Sequence, residues 1–229
     1  MFAMQPGIMT HLTHLRIEEA VGTLRDAGAL EVHAFELKLR QNAKNPTQVS
    51  NHLSEARVAL MFIENGARVT MRDSPDLKVD WLGDTFYAEV KHFKRKKQDQ
   101  LDEAAERNAP GDMLAPVGNT LKLEGRHPLE QLSDVMRRKR DQYMDGAVNI
   151  LVVDSSSESM ELMAQSAVNE FDDQVLKTPG DQALRKLNGI MLITSWSSTD
   201  GNVEFCRTQR PTVPMSPRLA LALDNVRKG

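Results

Sequence analysis

The sequence predicts an α/β protein, and three observations support that class. Residues 50–65 have the apolar spacing of an amphipathic helix, and a short apolar strand follows at 67–71. Residues 148–154 form a near-continuous apolar run, typical of a central strand buried on both faces. A basic helix predicted from about residue 128 to 144 precedes that run, a helix-to-strand step that fits layered α/β folds.

The first part of the chain is expected to be a helical N-terminal appendage over residues 1–48, with the α/β domain at 49–229. Residues 11–45 predict one or two helices that end near Asn45–Pro46. A chain of 229 residues is long enough for one domain with such an appendage.

Residues 75–91 predict a β-hairpin with a charged face. Side chains alternate along its first strand, so three charged residues share one side: Asp76, Lys78 and Asp80. A two-residue turn at Gly83–Asp84 suits the hairpin, because Gly and Asp tolerate positive φ. That turn would pair Lys78 with Glu89 and Asp76 with Lys91, leaving Asp76 and Glu89 as diagonal neighbours on one face.

Helix 50–65 carries Glu55 beside its apolar stripe, where it could lean over the charged face of the hairpin. A glutamate in such a position is more often a boundary residue with its carboxylate in water. A strand face with alternating acids and bases is likewise more often a solvated surface with weak ion pairs. The combination of helix and hairpin favours a functional role for Glu55.

The ordered set of Glu55, Pro75–Asp76 and Glu89–Val90–Lys91 resembles the PD-(D/E)XK nuclease superfamily over roughly residues 50–155. The resemblance implies the restriction-endonuclease-like fold, a mixed central β-sheet flanked by helices. It also implies a metal-dependent nuclease that hydrolyses phosphodiester bonds. Lys78 departs from the pattern, because on the acidic face it could pair with Glu89 and weaken a metal site.

The resemblance assigns a role to each of the four matching residues. Asp76 and Glu89 would bind Mg²⁺ or Mn²⁺, Glu55 would complete the metal shell directly or through water, and Lys91 would orient or activate the attacking water. The chemistry is consistent, since Mg²⁺ takes oxygen ligands and commonly one or two carboxylates. A lysine adds positive charge where negative charge grows on the phosphate.

Two basic clusters are candidates for binding nucleic acid, with DNA as the expected substrate. The first directly follows the Glu-x-Lys strand and consists of Lys94, Arg95, Lys96 and Lys97. The second cluster is Arg137–Arg138–Lys139–Arg140 on the predicted basic helix. From that helix, Arg138, Lys139 and Gln142 are expected to bind nucleic acid. Either cluster alone is more typical of a solvated face. The formal net charge of −3 means that any attraction to nucleic acid is local.

Other features narrow the class of protein. The single cysteine, Cys206, rules out an intramolecular disulfide and favours a reducing compartment. No apolar run is long enough for a membrane span and no secretion signal is visible, so a cytoplasmic location is expected. Residues 98–127 predict a short helix and a long surface loop that could close over substrate. The sequence has neither a Gly-x-Ser-x-Gly elbow nor a Gly-rich phosphate loop.

These observations predict a metal-dependent nuclease that uses Mg²⁺ or Mn²⁺. The main alternative is a catalytically inactive nucleic-acid-binding or assembly module that retains the nuclease fold. In a third interpretation the protein is structural and the hairpin charges are surface ion pairs. Cutting both strands with one site per chain would favour a homodimer.

Overall fold

A computed structural model describes residues 6–93, 128–155, 163–194 and 202–226. Within these ranges six strands form one open, mixed sheet in chain order, with β1–β2–β3 antiparallel, β3–β4–β5 parallel and β6 antiparallel to β5. The strands are β1 Arg68–Met71, β2 Leu77–Trp81, β3 Asp84–Phe93, β4 Val148–Ser155, β5 Leu187–Thr194 and β6 Val203–Arg207. The α/β class and the mixed sheet agree with the expectation from the sequence.

Six α-helices flank this sheet in the described ranges: α1 Pro6–Asp26, α2 Val32–Gln41, α3 Pro46–Glu64, α4 Pro128–Arg138, α5 Ala164–Lys177 and α6 Pro217–Asp224. Helix α3 begins four residues earlier than residue 50. Asn45 caps it there, with Oδ1 accepting hydrogen bonds from the amides of Thr47 and Gln48, and Pro46 occupies the first helical position.

The basic helix ends earlier than predicted, at Arg138 instead of residue 144, and a short 3₁₀ turn follows at Arg140–Gln142. Tyr143 explains the difference. Its ring is buried and its hydroxyl donates to the carbonyl of Met136 at 3.2 Å, which folds the chain back toward the helix it has just left.

The sheet separates two hydrophobic cores. The first lies against α1, α2, α3 and α6, and the second lies against α4 and α5. Successive β4 side chains alternate between the cores, with Ile150 and Val152 in the first and Leu151 and Val153 in the second. The apolar run at 148–154 is therefore a central strand buried on both faces, as predicted.

The first two helices share the first core with the sheet. Leu24 of α1 and Phe35 and Leu39 of α2 are buried in it, and α2 packs on β1. The proposed division of the chain between residues 48 and 49 stays a prediction. No described helix has the length and apolarity needed to cross a membrane.

The hairpin register differs by two residues from the prediction. Trp81 pairs with Asp84, so the turn is Leu82–Gly83, and Leu77 pairs with Ala88. Both turn residues have positive φ, 55° and 85°, as a type I′ turn requires. Asp84 is thereby the first residue of β3, and it accepts a hydrogen bond of 2.7 Å from the Ser216 hydroxyl at the start of α6.

This register leaves β3 longer than its neighbour. Strand β2 starts at Leu77, opposite Ala88, whereas β3 continues from Glu89 to Phe93 and stays paired with β4. A shift of two residues preserves the faces, so Asp76 and Glu89 still share one side. Their positions become adjacent instead of diagonal. The first basic cluster, Lys94, Arg95, Lys96 and Lys97, and the predicted loop at 98–127 lie outside the described residues.

Leu82→Asn should stabilise the protein. Leucine at a φ of 55° is strained, and asparagine is favoured at this turn position, so we expect the free energy of unfolding to rise by about 1 kcal/mol. Urea denaturation measures the change. Gly83→Ala is the opposing control, since its Cβ would lie 3.0 Å from an Arg218 nitrogen at a φ of 85°. Equal stability of Leu82→Asn and wild type would contradict the assigned turn.

Candidate functional site

A cleft of about 230 Å³ opens where β3 continues past the start of β2. Six of the residues that the sequence singled out line it: Glu55, Asp76, Glu89, Lys91, Lys139 and Gln142. The three acids come from α3, from the residue before β2, and from β3. Each acid is almost completely buried, with 6 % of the surface of Glu55, 6 % of Asp76 and 3 % of Glu89 exposed. All three side chains line the same cleft.

Asp76 is held by the end of the hairpin. Its Oδ2 accepts a hydrogen bond of 2.8 Å from the backbone amide of Val90 on β3. Burial, followed by the charges of Glu55 and Glu89, raises the pKa of Asp76 to about 8, against the opposing effects of the Val90 amide and Lys38. Burial beside two other acids therefore favours the neutral form of the Asp76 carboxyl more than water does.

Glu89 has one oxygen engaged and one oxygen unsatisfied. Lys139 Nζ lies 2.5 Å from Oε1, while Oε2 is buried without a hydrogen-bond partner. Burial raises the pKa of Glu89 and the charge of Glu55 adds to that rise, while Lys139 and the neighbouring Asp76 carboxyl oppose it. A buried carboxylate oxygen without a partner is costly and is the kind of atom that a bound cation satisfies.

Glu55 is bound by groups from two helices. His52 Nδ1 lies 2.8 Å from Oε1, one turn earlier on α3, and Lys38 Nζ of α2 lies 3.2 Å from Oε2. Lys38 Nζ is also 3.8 Å from Asp76 Oδ1, so a single ammonium group faces both acids.

Lys91 lines the same cleft on the β3 face that carries Glu89. Partial burial, together with the nearby charge of Lys139, lowers the pKa of Lys91, while Glu89 acts in the opposite direction. Lys91 therefore loses its proton more readily than an ordinary surface lysine.

Lys78 does not interfere with the acids. Its Nζ lies 3.3 Å from Asp80 Oδ2, and its partner across the hairpin is Tyr87 instead of Glu89. The predicted pairing of Lys78 with Glu89 is therefore wrong, because the observed register of the hairpin differs by two residues from the predicted one.

The second basic cluster divides between the cleft and the surface. Arg138 is exposed and lies 2.8 Å from Asp134, and Arg140 lies 2.6 Å from Asp181. Lys139 turns into the cleft, and Gln142 lines it from the following 3₁₀ turn. A role for Arg138 in binding nucleic acid stays a prediction.

Several cleft residues were not identified from the sequence. Gln48 and Asn51 lie seven and four residues before Glu55, which places all three on one face of α3, so helical spacing could have found them. His92 directly follows Lys91 and lines the cleft. Lys38 had no local signal, since it reaches the acids only through the packing of α2.

A fourth buried acid, Asp154, lies next to the cleft on β4. It accepts a hydrogen bond of 2.6 Å from the Ser54 hydroxyl and one of 3.2 Å from Arg57 of α3, and His92 Nδ1 is 3.4 Å away. Burial opposes the ionisation of Asp154, but these three neighbours together lower its pKa below the ordinary value. Asp154 thus ties α3 and His92 to the central strand.

The unsatisfied polar atoms of the described residues concentrate in this cleft. Two buried side-chain atoms, Glu89 Oε2 and Gln142 Oε1, have no hydrogen-bond partner, and His92 Nδ1 has only the long contact of 3.4 Å with Asp154. All three residues line the cleft. A larger depression of about 320 Å³ between α2 and the β1–β2 connection contains none of these atoms. Clustered unsatisfied groups indicate a place for a ligand or for ordered water.

The donors suit a magnesium-type ion held by few protein ligands. Among the described residues, no group of three or more His, Cys, Asp and Glu side chains is arranged to hold a metal ion. Mg²⁺ commonly needs only one or two carboxylates and keeps several waters. Glu89 Oε2, with Asp76 beside it, meets that requirement.

No family model matches the chain, no curated protein matches its sequence, and no solved structure matches its fold.

Asp76→Asn should stabilise the protein in EDTA, and more so at pH 8 than at pH 5. The folded-state pKa of Asp76 is about 8 and the usual value is 3.8, so the stability contributed by this carboxyl is complete below pH 4 and is lost as the pH rises toward 8. Asparagine removes that loss and can still accept the Val90 hydrogen bond. Thermal denaturation at both pH values measures the effect.

Asp80→Asn is the matched control, because the hydrogen bond from Thr85 lowers the pKa of Asp80 and no such gain is expected. An Asp76→Asn protein that melts below wild type at pH 8, or a stabilisation equal at both pH values, would contradict the raised pKa.

Proposed function

We propose that this protein is a metal-dependent phosphodiesterase of the nuclease type, with DNA as its expected substrate and the cleft as its active site. One observation carries the proposal: three buried carboxylates from separate elements meet beside Lys91, and Glu89 Oε2 has no partner among the described residues. Buried acids with raised pKa values in a cleft are typical of functional sites.

In this proposal Asp76 and Glu89 hold Mg²⁺ or Mn²⁺, and Glu55 supports the site directly or through water. A bound divalent cation would neutralise charge on the phosphate and favour ionisation of a water. Lys91 lies on the Glu89 side of β3, where it can orient that water and add positive charge beside the phosphate. The Val90 amide keeps Asp76 in place.

The fold is compatible with the resemblance to PD-(D/E)XK nucleases. A helix with Glu55, the Asp76 hairpin and the Glu89–Lys91 strand follow in the order of that family, within a mixed sheet flanked by helices. We therefore retain the restriction-endonuclease-like fold as a proposal. Binding of nucleic acid through the basic residues after β3 and around Arg138, and action as a homodimer, belong to the same proposal.

A catalytically inactive module that binds nucleic acid is the second candidate. Two contacts favour it. The ammonium group of Lys139 lies against Glu89, and that of Lys38 lies against Glu55. These lysines supply the positive charge that a bound metal ion would otherwise supply. In that case the lysines would be permanent partners of the acids.

Cleavage of double-stranded and single-stranded DNA and of RNA, in Mg²⁺, Mn²⁺ or EDTA, separates the two candidates. The wild type should cut DNA only with a divalent ion. Asp76→Asn, Glu89→Gln and Lys91→Ala should each lower the rate by about 100-fold or more while the fold is kept. Asp80→Asn and Lys78→Ala, on the same hairpin but outside the cleft, should cleave as wild type does.

Equal rates in wild type and in the three cleft variants would refute the proposed active site. Binding of DNA by the wild type without cleavage in either metal would favour the inactive module.

A further inference from the structure

Lys38 reaches the acids from outside the hairpin. It lies on α2, and only 24 % of its side chain is exposed. Its Nζ is 3.2 Å from Glu55 Oε2 and 3.8 Å from Asp76 Oδ1, so the ammonium group stands between two of the three acids.

Packing around α2 holds Lys38 in that place. Phe35, one turn earlier, is buried in the first core and meets His52 edge to face at 6.3 Å, and Leu39 is fully buried. The end of the helix is fastened as well, because the Asn42 side chain donates to the Lys38 carbonyl at 2.9 Å. The ammonium group is therefore presented by a fixed helix and not by a mobile surface segment.

The three acids form two neighbouring pairs, and each pair is a possible position for a cation. Lys38 faces the first pair, Glu55 and Asp76, and the second pair is Asp76 and Glu89. Two-metal phosphodiesterases place ions about 3.5–4 Å apart, which requires both positions to be open. Here Lys38 faces both acids of the first position. At the second, Lys139 engages only Glu89 Oε1 and leaves Oε2 buried and unpartnered.

We propose that Lys38 takes the place of a second metal, so that the cleft binds a single divalent ion on the Asp76–Glu89 side. This inference rests on the proposed function and specifies its metal stoichiometry. An ammonium group supplies one fixed positive charge where a second ion would supply two, and the two cannot share that position because like charges repel strongly in a partly buried site.

Titration of the full-length protein with Mn²⁺ tests the proposal. Bound and free ion are counted by electron paramagnetic resonance and the affinities are measured by calorimetry, without substrate. The wild type should bind one Mn²⁺. Lys38→Met keeps the aliphatic stem but removes the charge, and it should bind two. Lys38→Gln serves the same purpose if the methionine variant does not fold.

Two further comparisons locate the ions. Lys44→Met, at an exposed lysine just after α2, should bind one ion as the wild type does. Glu89→Gln should bind none in the wild-type background and one in the Lys38→Met background, since only the position between Glu55 and Asp76 would then remain.

The possible outcomes separate this inference from the proposed function. Two ions in the wild type, or one ion with unchanged affinity in both Lys38 variants, would overturn the role of Lys38 while leaving a metal-dependent site. The absence of Mn²⁺ binding in the wild type would overturn the metal-dependent function itself, and this inference with it.

Discussion

The packing of three carboxylates into one cleft is the constraint on which the rest of this structure depends. Burial of an acid is unfavourable unless charge or hydrogen bonds compensate it. Lys38 and Lys139 supply charge, and the Val90 amide supplies a hydrogen bond to Asp76. Compensation is incomplete, because the pKa values of Asp76 and Glu89 remain raised. Buried acids with incompletely compensated charge are typical of functional sites, and the proposed active site rests on that property.

The sheet provides the geometry that this cluster requires. Strand β3 is paired with β4 along its length, so Glu89 and Lys91 stand on a rigid backbone, while the start of β2 at Leu77 leaves room beside them. Helix α3 packs in the first core on the other side of the sheet and carries Glu55 to the same cleft. Precise sites are commonly carried by strands and helices in this way, since their backbones hold side chains more firmly than loops do.

The N-terminal helices are part of the site and not only of the core. Lys38 belongs to a segment that the sequence suggested was an appendage, yet its ammonium group lies within 4 Å of two of the acids. In the proposed function, the ammonium groups of Lys38 and Lys139 would decide whether a cation can bind beside the acids. These lysines compensate the charge of the buried acids, and for the same reason they compete with any cation that enters the cleft.

The sequence by itself determined the α/β class, the buried β4 strand, and the face shared by Asp76 and Glu89, because periodicity of 2 or 3.6 residues is a local property. The hairpin register was not determined by side-chain alternation, because a shift of two residues leaves every side chain on the same face. In the structure Asp84 belongs to β3 and accepts a hydrogen bond from Ser216, far along the chain. The pairing of Lys139 with Glu89, the contacts of Lys38 with the acids and the hydrogen bonds from α3 to Asp154 are also tertiary. They arise from packing between elements distant in the chain, which alternation and helical spacing do not encode.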